Sequence, residues 1–101
     1  QGHYRLALEN FNRGIHLQSE NAEAYNNRGF TFFKLGYYQK ALDDFNKAIH
    51  LKPDYAMAYT NRGVLHLLQG NNSLGCRDVR KACELGHCSI SENAEIKKLC
   101  R

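Results

Sequence analysis

The apolar residues of segment 22–51 recur at helical spacing and predict two consecutive helices. The first is expected to run from about residue 22 to 35, where Gly36 ends it, and the second from about residue 38 to 51, before Pro53. Large and small side chains share the two facing stripes, which would let the helices approach closely. The stripes are Tyr25, Arg28, Gly29 and Phe32 on the first helix, and Ala41, Phe45 and Ala48 on the second. One helix pair cannot bury both faces, so neighbouring pairs are expected to stack.

The pattern is repeated along the chain. The segment AYNNRG at 24–29 returns as AYTNRG at 58–63, which gives a period of 34 residues. We therefore expect a single domain over 1–101, made of four parts. These are the second helix of a partial repeat (2–21), a full repeat (22–55), a full but degenerate repeat (56–88) and a C-terminal capping helix (89–101).

The last repeat departs from the pattern, because Gly75 replaces the alanine at position 41 and no proline ends the unit. We expect the small Gly75 to weaken the local core. The tail is expected to form one helix that Ser89 or Ser91 caps. Its apolar side would consist of Ile90, Ala94, Ile96 and Leu99.

Composition supports an all-α fold, since the chain has a single proline and few β-branched residues. No apolar run approaches the roughly 20 residues that span a bilayer. The net charge of +4 is spread along the chain and forms no basic stripe, so nucleic-acid binding is not expected. The chain begins with Gln1, and we expect it to be a processed or truncated piece.

The repeat resembles the tetratricopeptide repeat family, in a bacterial-type form. The residues that carry the resemblance are Tyr25, Arg28-Gly29, Phe32, Ala41, Phe45, Ala48 and Pro53, with Arg28 departing from the family's leucine. The resemblance implies an all-α, helix-turn-helix solenoid, a right-handed superhelix of about 2.5 repeats plus a C-terminal capping helix. It also implies that the first helix of each unit lines a concave groove.

Carried over by position, the groove residues of the first full repeat are Glu23, Asn26, Asn27, Phe30, Phe33 and Lys34. Those of the second are Met57, Thr60, Asn61, Val64, Leu67 and Leu68. An asparagine amide both donates and accepts, so Asn27 and Asn61 could pair with the backbone of a bound peptide whatever its sequence. The alternative is that both asparagines bond within the stack. Arg28 and Arg62 are expected to be structural, with buried stems and charges at the edge.

A second family function is the clamp for acidic C-terminal peptides of heat-shock chaperones. That clamp requires cations at the second and sixth positions of the following unit. Met57 and Asn61 occupy these positions and supply none. The apolar groove instead favours a segment with hydrophobic side chains.

All four cysteines lie in the last quarter of the chain. If the tail helix returns antiparallel to the last repeat helix, the favoured pairs are Cys83–Cys88 and Cys76–Cys100. Paired cysteines would indicate an exported or periplasmic protein, and free thiols a cytoplasmic one. Four free thiols, or a metal site at Cys83, His87 and Cys88, remain the alternatives.

No catalytic set is visible, so we predict no enzyme, no cofactor and no metal. His66 is expected at the edge of the core, and Asp43 and Asp44 form an expected solvated pair. Two functions follow. One is an interaction module that binds an extended peptide or partner segment in the groove. The other is a scaffold segment of a longer repeat protein that self-associates. A homodimer would form through the open stacking face of residues 2–21.

Overall fold

The computed structural model describes residues 2–100, and every regular element in that range is helical. The elements are α1 (Gly2–Leu17), α2 (Ala22–Lys34), α3 (Tyr38–Leu51), α4 (Ala56–Leu68), α5 (Asn72–Glu84), a 3₁₀ turn (Ile90–Glu92) and α6 (Ala94–Leu99). The predicted all-α fold of paired helices is confirmed. The chain divides into two compact units, one ending at Pro53 and the other beginning at Asp54.

In the first unit, α2 and α3 pack through the predicted stripes. Ala41, Phe45 and Ala48 have no exposed surface. A Cβ built on Gly29 would lie 2.7 Å from Cε1 of Phe45, so only glycine allows this approach. The side chain of Asn21 caps α2 by accepting a hydrogen bond from the Ala24 amide at 3.1 Å.

In the second unit, α4 and α5 approach even more closely. A Cβ on Gly75 would lie 2.6 Å from Cγ of Leu67 and 2.9 Å from the carbonyl oxygen of Gly63. The expectation that Gly75 weakens this core is therefore wrong, because the space that an alanine would need is already filled. Leu65 and Val79 complete the buried centre of the unit.

Two glycines end the first helices of the repeats with left-handed backbone. Gly36 has φ of 84° and Gly70 has φ of 82°, a conformation that glycine adopts without strain. The predicted helix break at Gly36 is thus explained by a positive φ, and the same turn recurs one period later.

The tail differs from the expected single helix. The segment folds as the 3₁₀ turn followed by the six-residue α6. Asn93, and neither Ser89 nor Ser91, caps α6, with its Oδ1 accepting from the amides of Glu95 and Ile96. None of the residues of α6 is buried. The extended backbone of Asn93 breaks the helix that sequence periodicity alone would continue.

No helix among residues 2–100 is long and apolar enough to cross a membrane.

Candidate functional site

One face of α2 carries side chains that the packing against α3 does not use. Asn27, Phe30 and Lys34 are exposed, and they follow one another at spacings of three and four residues, as neighbours on a helix surface do. Phe30 is 41% exposed. Its ring lies edge-on to Phe33, with centroids 6.4 Å apart, and the Lys34 ammonium lies 5.2 Å from its centroid. Tyr38 of α3 extends this aromatic cluster, 5.8 Å from Phe33.

Asn26, the neighbour of Asn27, lies on the inner side of the helix. It is only 4% exposed, so it does not offer a surface amide as a groove position would. The homologous Thr60 of α4 is buried too, and its Oγ1 lies 2.9 Å from Nδ1 of His87. The fifth position of each repeat is thus a packing position in this chain.

The matching face of α4 is aliphatic. Asn61 and Val64 are half-buried, while Met57 and Leu68 are exposed, Leu68 to 66%. Asn61, Val64 and Leu68 have the same spacing as Asn27, Phe30 and Lys34 on α2. Each unit therefore presents an asparagine followed by an apolar residue on its first helix. The next position on this face is a cation, Lys34, in the first unit and the apolar Leu68 in the second.

A buried ion pair joins the two helices of each repeat. The Arg28 guanidinium donates through Nε and Nη2 to the two carboxylate oxygens of Asp44, both at 2.7 Å. Arg62 and Asp78 form the same two bonds at 2.8 Å. The hydrogen bonds to Asp44 raise the pKa of Arg28 above its ordinary value, and Asp78 does the same for Arg62, against the opposite effect of burial.

Asp44 is therefore not the solvated residue that we expected, since only 4% of it is exposed, whereas Asp43 is exposed. The expectation for Asp44 rests on the rarity of buried carboxylates, although its position between Ala41 and Ala48 places it on the buried stripe of α3. The sequence held a signal that could have corrected this. Arginine and aspartate recur together, 16 residues apart in both repeats.

The surroundings of the two arginines explain why this position can hold arginine where the family has leucine. The Arg28 guanidinium lies 5.6 Å from the ring of Tyr25 and 5.7 Å from that of Phe32. Arg62 lies 5.5 Å from the ring of Tyr59. The aromatic residues around the arginine thus cover its stem and attract its charge.

His66 packs inside the second unit, as expected for a core-edge residue. It is 8% exposed, and its Nε2 lies 4.0 Å from Oδ2 of Asp78. Its Nδ1 is buried without a hydrogen-bond partner among the described residues. Burial lowers the pKa of His66 below its ordinary value of 6.5; Asp78 opposes this effect, and Arg62 and Arg77 add to it. Burial in this position disfavours the protonated form of the imidazole.

Two disulfides fix the tail to the second unit. Cys76 is bonded to Cys100, with Cα atoms 5.3 Å apart, and Cys83 to Cys88, with Cα atoms 4.1 Å apart. These are the two pairs that the sequence predicts for a tail helix antiparallel to the last repeat helix. No group of three or more histidine, cysteine or acidic side chains that could hold a metal ion occurs within residues 2–100.

Two family models match the first part of the chain. A tetratricopeptide repeat model matches residues 22–55, and a TPR repeat model matches residues 1–36, so the two together span residues 1–55. A search of curated proteins found no match.

Solved structures give the same answer over nearly the whole chain. The first TPR domain of Spaghetti (RPAP3), bound to the HSP90 peptide SRMEEVD, is 25% identical with a TM-score of 0.85, covering 98% of this chain and 79% of that one. The Arabidopsis OM64 TPR domain is 26% identical with a TM-score of 0.82, covering 97% and 78%. The second TPR domain of human RPAP3, in complex with an HSP70 peptide, is 26% identical with a TM-score of 0.79, covering 98% and 79%. The chain belongs to the tetratricopeptide repeat family.

Proposed function

We propose that this chain is a protein-interaction module that binds an extended segment of a partner protein through the exposed face of the first helix of a repeat, α2 in the first unit and α4 in the second. The observation that carries the proposal is the face of α2, where the exposed Asn27, Phe30 and Lys34 adjoin one another and Phe33 packs edge-on beside Phe30. Asn27 would bond to the peptide backbone of the partner. Phe30 and Phe33 would contact its apolar side chains.

The similar structures of RPAP3 hold the HSP90 peptide SRMEEVD and the HSP70 peptide SGPTIEEVD. The partner of this chain is proposed to be of another kind. Met57 and Asn61 stand where a clamp for a terminal carboxylate needs cations, and Met57 is exposed and apolar. An internal segment with hydrophobic side chains fits these residues better than an acidic terminus does.

The test begins with peptides selected from a random display library against the wild-type chain. Titration calorimetry then compares the wild type with Asn27→Ala/Asn61→Ala. We expect at least about a tenfold loss of affinity, because each truncated contact of this kind removes on the order of 1 kcal/mol. The matched control is Asn10→Ala/Asn71→Ala, which removes two exposed amides elsewhere and should bind as the wild type does. Equal affinity for all three proteins, at equal helicity, would assign Asn27 and Asn61 to the scaffold.

Self-association is the second candidate, and the surface of α1 favours it. Ala7, Phe11 and Gly14 of α1 correspond to the fully buried Ala41, Phe45 and Ala48 of α3, yet they are only half-buried. A Cβ on Gly14 would meet nothing within 4 Å. A second copy of the chain could cover this face.

Leu6 provides the test of this second candidate. It is 61% exposed, and the equivalent residue of α3 is Lys40. If α1 forms a homodimer interface, sedimentation equilibrium will show a dimer that dissociates on dilution and that Leu6→Lys abolishes. A monomer at all concentrations would remove this candidate and leave the first unaffected.

A further inference from the structure

We propose that the outer face of α5 is a second interaction surface, which binds an acidic segment of a partner protein. The surface consists of Arg77, Arg80 and Lys81, which we call the α5 basic face. These residues lie on the side of α5 away from α4, since Gly75 and Val79 lie against that helix and all three cations are exposed. The proposal is independent of the peptide-binding faces of α2 and α4.

The three cations are adjacent and exposed. Residues three and four apart are neighbours on a helix, so Arg77 adjoins both Arg80 and Lys81 on the surface of α5. All three are exposed, and none forms an ion pair or a side-chain hydrogen bond with another residue of the range 2–100. The buried Asp78 between them is already engaged by Arg62. No ion pair within residues 2–100 therefore neutralises the positive charge of this face.

The equivalent helices of the other repeats carry a different pattern. The positions of Arg77 and Lys81 hold Glu9 and Arg13 in α1, and Asp43 and Lys47 in α3. Both of those pairs place an acid four residues before a base, which stabilises a helix. In α5 the acid is replaced by Arg77, and the pair becomes one of like charges, which is unfavourable.

Folding accounts for only part of this basic face. Lys81 lies in the last turn, where a cation favourably meets the helix dipole. Arg80 is four residues before Glu84 and can gain from that charge. Arg77 has neither advantage, because it lies in the middle of the helix beside two other cations. A ligand of opposite charge is the remaining source of a favourable interaction for it.

The adjoining surface can accept an acidic side chain. A depression of about 250 Å³ lies between α5 and the tail, lined by Arg80 together with Asn72, Ser73, Leu99 and the Cys76–Cys100 disulfide. A carboxylate there would find a guanidinium, an amide and a hydroxyl as hydrogen-bond donors. Three adjacent cations suit a short acidic peptide better than a nucleic acid, whose binding usually engages more phosphates along a longer stripe.

The experiment uses the chain of residues 1–101 with its disulfides intact and a fluorescein-labelled octaglutamate peptide, followed by fluorescence anisotropy. The wild type should bind with an affinity that falls as salt is added. Arg77→Gln/Arg80→Gln/Lys81→Gln should weaken binding about tenfold, because all three charge contacts with the acidic peptide are removed. The matched control, Arg5→Gln/Arg13→Gln/Lys47→Gln, has the same net charge and should change the affinity less than about twofold.

A single variant separates a binding role from a structural one. Arg77→Asp restores the acid of the other repeats, and it should lower the affinity while the melting temperature stays equal or rises. Equal losses of affinity in the two triple variants would show that only net charge matters, and this would overturn the proposal. A wild type that does not bind the peptide would overturn it as well. Tighter binding of single-stranded RNA through the same three residues would replace the protein partner with a nucleic acid, and this too would overturn it.

Discussion

At the scale of single residues, we expect the stability of each repeat to depend on a carboxylate that is almost completely buried, Asp44 in one and Asp78 in the other. Asp44 and Asp78 each receive two hydrogen bonds from one guanidinium. A buried charge is tolerated because it is paired, and removing one partner leaves the other without compensation.

Replacing Asp44 by alanine should therefore destabilise the chain by about 3 kcal/mol, since Arg28 would remain partly buried with its charge unpaired. Urea unfolding followed by circular dichroism gives the free energy of unfolding. Asp43→Ala is the matched control, because Asp43 is exposed and accepts a hydrogen bond from Gln39, one turn earlier on the same helix. Its effect should stay within about 0.5 kcal/mol. Similar losses for both aspartates would contradict the interpretation of Asp44 as the buried partner.

His66 makes the stability of the second unit depend on pH. Its pKa in the folded chain is lowered, so near pH 6.5 the unfolded chain binds a proton more readily than the folded one. This contribution to stability is present above the unfolded pKa and is lost as the pH falls below about 6.5 towards the lower folded value.

The change to test is His66→Phe, which introduces the aromatic residue found as Phe32 in the preceding repeat. The free energy of unfolding of the wild type should fall more between pH 7.5 and 5.5 than that of the variant. His50→Asn, at an exposed position, should keep the wild-type difference. If His66→Phe also keeps it, the buried imidazole is not the source of the pH dependence.

At the scale of elements, the contact between α4 and α5 depends on two glycines rather than on large side chains. Gly63 and Gly75 let the two backbones approach, so that Leu67 fills the space where a Cβ would stand. The helix pair is thus held by close packing at a point where helix propensity alone would favour alanine.

Gly75→Ala should destabilise the chain by about 2 kcal/mol, because the overlap with Leu67 and the Gly63 carbonyl outweighs the gain in helix propensity of roughly 1 kcal/mol. Gly14→Ala should have the opposite sign, since its Cβ meets nothing within 4 Å. Thermal unfolding of the two variants measures both effects. A stabilising Gly75→Ala would show that the helices can separate without loss.

The short helix α6 has no buried residues, and the Cys76–Cys100 bond near its end supplies the constraint that burial does not. In Cys76→Ser/Cys100→Ser we expect residues 94–99 to lose protection from hydrogen exchange, because an isolated helix of this length is unstable in water. Amides of α4 and α5 should stay protected. If residues 94–99 remain protected in the variant, packing alone holds the tail.

At the scale of the whole molecule, the periodic part of the fold could be predicted and the irregular part could not. The stripes of α2 and α3 follow from spacing, and the bounds of α3 agree with those expected from the break at Gly36 and the stop at Pro53. The break in the tail could not be predicted, because the spacing of the apolar residues does not indicate the extended backbone at Asn93. The candidate surface was predicted less well than the fold. Position within the repeat suggested Asn26 as readily as Asn27, and only the packing of α2 shows which of them reaches the surface.

The pairing of Arg28 with Asp44 has a consequence for how such chains lengthen or shorten during evolution. Both partners lie within residues 22–55, and Arg62 and Asp78 lie together one period later. Copying or deleting one whole unit therefore moves both charges together and never leaves a buried guanidinium alone. The bond that Arg28 makes to α1 goes to Asn12, a neutral and exposed group, at 3.0 Å. Exchanging the neighbouring unit would thus leave the ion pair intact, which makes the unit of 34 residues self-sufficient in its charges.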